Sequence, residues 1–188
     1  MTAETLASKP KITLHVVASL DGMIASKDNS VSWLEECEGA YEAGVSFGQE
    51  EIAAFLKSID CYVLGSRTYE HALQLGWVYG DTPVIVLTTR ELPQTRSTVE
   101  FYSGDLPTLV DRHLAFRYRN IWVAGGAEVC QQFLASGLAD ELRLTVAPIL
   151  LGEGLRLFGS LPAQMKWSLK EAVPYKNGFV ALTYSASR

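Results

Sequence analysis

The stretch Ile121–Gly137, IWVAGGAEVCQQFLASG, decides the fold. Ile121 to Ala124 suit a strand, Gly125 and Gly126 follow, and Val129, Phe133 and Leu134 then recur at a spacing that makes one face of a helix. A strand turning through paired glycines into a helix leaves the first N–H groups of that helix without intrahelical partners. Such a turn either holds an anion or packs closely against its neighbours.

Working outward, strand-like runs occupy KITLHVVAS (11–19), CYVLG (61–65), PVIVLT (83–88) and ELRLTVAPIL (141–150), with WSLKEAV and FVALTYS near the end. Several are continuous apolar runs, as expected of a largely parallel sheet covered on both faces. Helices are predicted between them. EEIAAFLKSI sets Ile52, Phe55, Leu56 and Ile59 on one side, and TYEHALQL is short. In DLPTLVDRHLAFRY, Asp105 can cap, Pro107 fits the first turn, and Leu106, Leu109, Val110 and Leu114 form a stripe. Alternating strands and helices imply an α/β layered domain with crossover connections. The Asn177-Gly178 pair between the last two strands marks a tight antiparallel hairpin.

At 188 residues the chain has room for one domain, expected over 11–188 after a disordered tail over 1–10. With 48% hydrophobic and 20% charged residues it has ample material for a core. No run approaches the length of a membrane span, and MTAETLASKPK does not read as a secretion signal. Cys37, Cys61 and Cys130 are too few and too widely spaced for a disulfide framework or a zinc site, so a reducing cytoplasm is the expected location. The net charge of −5 argues against nucleic acid as a partner.

Three strand ends share a character. Gly65, Ser66, Arg67 and Thr68 link a strand to a helix, VIVLTTREL ends in Thr88, Thr89 and Arg90, and WVAGGAEV ends in Gly125 and Gly126. Ligands of α/β sheets collect at the carboxyl ends of strands, where helix N-termini favour anions and arginines grip phosphate. Together the three ends suit a long ligand with two phosphate centres, such as a dinucleotide. G-x-G-x-x-G and P-loop motifs are absent.

VVASLDGMIAS (16–26), VSWLEE (31–36), VLGSRTYE (63–70), VAGGAEVCQQFL (123–134) and DELRLTVAPILLGEGLRLF (140–158) resemble the dihydrofolate-reductase-like superfamily, in the branch similar to the reductase domain of riboflavin biosynthesis. The resemblance spans roughly residues 11–184. It implies a three-layer α/β fold with a mixed, mostly parallel sheet, a C-terminal antiparallel hairpin, and NADPH as the cofactor. Gly65, Ser66, Arg67 and Thr68 fall where the superfamily's turn meets the pyrophosphate and 2′-phosphate. Ser66 stands in place of the usual first Arg, which leaves both NADPH and NADH open. Thr88, Thr89 and Arg90 match the segment beside the adenine ribose, while Ala124, Gly125, Gly126, Ala127 and Glu128 match the turn under the pyrophosphate. Ala18 and Ile24, flanking the loop that closes over the nicotinamide, are further expected cofactor contacts.

Asp21 matches an acidic residue that meets substrate hydroxyls, or it is simply a turn-forming Asp-Gly. Trp33 matches an aromatic position beside the substrate, or it is a core tryptophan. The folate enzymes' catalytic carboxylate has its counterpart in Glu50 or Glu51, of which Glu51 is the candidate. TVAPILLGEG resembles a strand and loop that join a dimer interface, and LRLTVAPILL is too apolar for an open edge, so a homodimer is expected. The zinc deaminase often fused to such reductases leaves neither of its motifs here.

His15, His71 and His113 form no metal-binding spacing, so no metal is expected, and GVSFG (44–48) lacks the context of a nucleophile elbow. The expected function is hydride transfer from NADPH to a small polar heterocycle, similar to 5-amino-6-(5-phosphoribosylamino)uracil reductase. The alternatives are a pteridine-type or other reductase on the same frame, and a dimeric dinucleotide-binding protein without turnover.

Overall fold

The computed structural model describes residues 9–35, 37, 39–46 and 48–187, with the side chain of Glu51 outside that set. Most of the expected N-terminal tail, residues 1–8, therefore lies outside the described residues. In chain order the elements are β1 (Lys11–Ser19), β2 (Met23–Ala25), a 3-10 turn (Ser32–Leu34), α1 (Gln49–Lys57), β3 (Cys61–Gly65), α2 (Ser66–Gln74), β4 (Val84–Leu87) and β5 (Val99–Tyr102). They continue with α3 (Leu106–Thr108), which widens into a π-helical turn (Leu109–Leu114), then β6 (Asn120–Gly125), α4 (Ala127–Ala135), β7 (Glu141–Ala147), β8 (Leu155–Arg156), β9 (Trp167–Pro174) and β10 (Val180–Ala186).

Eight strands form one sheet in the order β5-β4-β3-β6-β1-β7-β10-β9. The first six are parallel, and β10 and β9 close the far side antiparallel, as the Asn177-Gly178 turn foretold. Side chains alternate across each strand and so feed two separate apolar layers. On one face, Cys61, Val63, Ile121 and Val123 meet α3 and α4 through Leu109, Val110, Cys130 and Phe133. On the other, Tyr62, Leu64, Val84 and Val86 meet α2 through Tyr69 and Ala72, and Phe55 of α1 packs against the same layer. Burying each such side chain contributes about 1.5–3 kcal/mol. Burial also pushes the Cys61 and Cys130 thiols up to about 12, so both act as small apolar fillers.

Three expectations change. β7 ends at Ala147, because Pro148 has no N–H to extend a ladder, and it lies inside the sheet between β1 and β10. The open apolar edge invoked for a homodimer therefore does not exist; the sheet edges are β5 and β9. The stripe on α1 is only half used, with Ile52 and Leu56 37% and 42% exposed. The third helix is largely π-helical, although Asp105 caps it as expected, its Oδ1 accepting the Thr108 N–H at 2.8 Å.

At the amino ends of the strands, carboxylates take up main-chain donors. Asp60 Oδ2 accepts the N–H groups of Arg119 and Asn120, each at 2.8 Å, and Asp140 Oδ2 accepts that of Ile12 at 2.9 Å. Among the described residues no helix is long and apolar enough to cross a membrane.

Candidate functional site

The chain reverses its direction of winding between β3 and β6. From β3 it passes through α2 to β4 on one side; from β6 it passes through α4 to β7 on the other, beyond β1. α2 and α4 root in different apolar layers, so they stand on opposite faces of the sheet. A crevice opens between such diverging helices at the carboxyl ends of the strands, the usual ligand position in open α/β sheets.

Both helices begin at glycine. Gly65 precedes α2 and Gly126 precedes α4, both extended, and no side chain caps either helix. Gly125, joined to Gly126 by a cis peptide, has φ +104°, a conformation that suits glycine and strains any residue with a Cβ. The two turns touch. A Cβ on Gly126 would lie 3.6 Å from Thr68 Oγ1, and one on Gly65 would press to 3.1 Å from Val129 Cγ2. Two positive helix ends thus pack closely side by side, and their first N–H groups, left uncapped, are suited to an anion.

The β4 end adds the third strand terminus. Thr88 Oγ1 accepts the Arg90 N–H at 2.9 Å, fixing the turn. The Arg90 guanidinium then reaches α2 and grips Glu70 at two points, 3.0 and 2.7 Å. These hydrogen bonds hold the Glu70 carboxyl below its usual range, with Arg67 one helical turn away adding to the effect. Arg67 itself is exposed. Gly65 to Thr68 and Ala124 to Glu128 are thus brought together, while Thr88, Thr89 and Arg90 join from the far side of α2.

Asp21 lies at the end of β1 and is bound into the protein. Its Oδ1 accepts the Ser19 hydroxyl at 2.5 Å and the Leu151 N–H at 3.1 Å, and its Oδ2 accepts the Gly152 N–H at 2.6 Å. The Ser19 hydroxyl and then the Leu151 amide pull its carboxyl down to about 2, so it is a charged acceptor at neutral pH. The surrounding loops are tied further by Leu20 N–H to Ile149 O, by Leu157 N–H to Gly22 O, and by the pairing of β2 with β8. Ala18 is buried in the first layer, and Ile24 packs against it.

Trp33 is 4% exposed, belongs to neither apolar layer, and its indole N–H has no partner. Glu51 sits on α1, but its side chain lies outside the described residues. The surroundings of His15, on β1, are not foreshadowed by local spacing. The ring stacks on Trp122 at 4.8 Å and meets Phe55 edge-on, while its buried Nδ1 has no partner. Burial first and Arg143 second pull it down to about 4, so it stays neutral.

No cluster of metal-ligating side chains occurs among the described residues. A cavity of about 260 Å³ lies at the opposite rim, lined by Pro83, Val99, Arg117 and Tyr118 among others. It is remote from the glycine turns at the carboxyl ends of β3 and β6.

Comparison with known proteins places the chain in a family and a fold. The family model of the RibD C-terminal domain matches residues 10–181. The Bacillus subtilis protein YwjB is 34% identical over 175 residues, covering 85% of this chain and 89% of its own length. A Shewanella sp. PV-4 protein attributed to riboflavin biosynthesis superposes with a TM-score of 0.82 at 28% identity, over 95% of this chain and 99% of that one. The Thermotoga maritima diaminohydroxyphosphoribosylaminopyrimidine deaminase/5-amino-6-(5-phosphoribosylamino)uracil reductase shares the fold, with a TM-score of 0.67 at 15% identity. The match covers 95% of this chain and 57% of that protein.

Proposed function

The chain belongs to the RibD C-terminal domain family, and from that membership we propose that it is an NADPH-dependent reductase of a small polar heterocycle, of the ribosylaminopyrimidine class. The observation that supports this most is the meeting of two uncapped helix N-termini at the winding reversal, walled by glycines. NADPH would supply the hydride from its nicotinamide C4 to a C=N or C=O carbon.

The rest falls to this chain. Amides at Gly126, Ala127 and Glu128, with those at Ser66 and Thr68, would hold the diphosphate, and Arg67, Thr88, Thr89 and Arg90 the adenosine end. Ala18, Ile24 and Ala124 would border the nicotinamide. The tied loops around Asp21 would exclude water from it. An ionised carboxylate has about four acceptor positions, and three of Asp21's are taken, so one on Oδ2 is left for a substrate hydroxyl. Asp21 therefore orients substrate; the proton for the reduced heteroatom is assigned to Glu51 or to water. Trp33 would offer its free indole N–H to the substrate.

A homodimer belongs to the same reading. Leu20 and Leu150 are 59% and 69% exposed where the two loops join, with Leu155 and Phe158 beside them, and a second copy would cover this patch. Light scattering at micromolar concentration is expected to give the dimer mass.

The test of function is NADPH oxidation, followed by absorbance, with the phosphoribosylaminopyrimidine as substrate. Turnover supports the proposal. Binding of NADPH without turnover on the pyrimidine or on pteridines would leave a dinucleotide-binding protein, in which Asp21 serves only to fasten its loops. No NADPH binding at all would remove the redox assignment.

A further inference from the structure

The rim between α2 and the end of β4 carries an arrangement that an ordinary phosphate grip does not need. α2 and β4 bring two cations there, Arg67 and Arg90, and between them stands an anion, Glu70. Both terminal nitrogens of Arg90 donate to Glu70, and the pair is solvent-exposed, with 55% and 39% of the two side chains accessible. We propose that Glu70 is a specificity-determining residue for the coenzyme, keeping this rim open to a dinucleotide that lacks the 2′-phosphate. The inference deepens the coenzyme reading above and rests on it.

A phosphate monoester brings close to two negative charges at neutral pH. At a bare pair of arginines it would find two positive charges and bidentate donors. Here it finds a net charge of one, since the carboxylate cancels one guanidinium, and it must either displace Glu70 from Arg90 or bind beside it. A ribose diol behaves oppositely, because a carboxylate accepts hydroxyl hydrogen bonds. Glu70 thus opposes the phosphorylated coenzyme and favours the unphosphorylated one. A single carboxylate a few ångströms from a phosphate dianion, screened by water, is worth on the order of tenfold in affinity. Exposure also makes this effect fall with salt.

The experiment uses the full chain and measures dissociation constants for NADPH and NADH by nicotinamide fluorescence. Glu70→Gln is expected to raise the preference for NADPH over NADH by roughly tenfold, and about 1 M salt should erase most of the gain. Glu70→Asp keeps the charge and is expected to hold the starting preference. Arg90→Gln should shift it toward NADH. An unchanged preference in Glu70→Gln, with both coenzymes still bound, would overturn the role of Glu70 and leave the coenzyme reading intact. A shift of equal size in Glu70→Asp would also overturn it, since geometry and not charge would then be responsible. Failure of the unaltered chain to bind either coenzyme would overturn both.

Discussion

Two loops at the same rim of the sheet solve opposite problems. At the β6 end, glycines at 125 and 126 leave helix N–H groups with no side chain to receive them. At the β1 end, Asp21 collects the amides of Leu151 and Gly152 and the hydroxyl of Ser19 into one carboxylate. The first turn is, in the proposed function, a socket for an anion from outside. The second already contains its anion, supplied by the chain itself. The difference shows how similar-looking Asp-Gly and Gly-Gly turns diverge: one satisfies its neighbours' amides from within and the other leaves them open.

The largest expected effect comes from breaking the socket. Gly125→Ala forces a Cβ onto φ +104°, at a cost on the order of 1–3 kcal/mol, and should lower NADPH affinity at least about a hundredfold. Calorimetric melting and fluorescence titration check the two parts. Normal binding by this variant would mean the turn takes no part in holding the coenzyme.

Asp21→Asn attacks the other loop. It should spare NADPH affinity to within about threefold while lowering turnover by about 10–100-fold. Amide exchange at Leu151 and Gly152 should quicken as their acceptor loses its charge. If affinity falls as far as turnover, the two loops are not separate devices.

A gentler probe is pH. The folded value of Asp21, about 2, lies below its ordinary 3.8. The tie is therefore fully stabilising above that ordinary value and is lost as pH falls through about 2. The amide signals of Leu151 and Gly152, followed by NMR from about pH 6 downward, should stay constant until near pH 3 and shift as pH falls toward about 2. The Asn variant should show no such transition.

Smallest of all is the stability change in Glu70→Gln. An exposed pair contributes little to folding, so its melting temperature should match the unaltered chain even where coenzyme preference does not.

Much of the frame was legible in the sequence because buried strands are apolar on both faces. CYVLG, IWVAG and KITLHVVAS declared themselves, and the spacing of Val129, Phe133 and Leu134 gave the buried face of α4. β5 went unseen: VEFY is a four-residue edge strand, too short for a pattern. β7 looked longer than it is, because apolar character continues through Pro148 while hydrogen bonding cannot. At the site, residue types marked the three strand ends, but partners did not. Asp21 meets Leu151, 130 positions away, and Arg90 meets Glu70 across a helix and a strand, pairings no local spacing records. The unpartnered Nδ1 of His15 likewise arises where three elements pack together.

The carboxylates of Asp60 and Asp140 give the whole sheet a sense of direction. A solute travelling along the strands meets hydrogen-bond donors still on offer at one pole, while at the other the chain has answered its own. If the coenzyme binds as proposed, its phosphates lie at the pole where the amides of α2 and α4 are still uncapped.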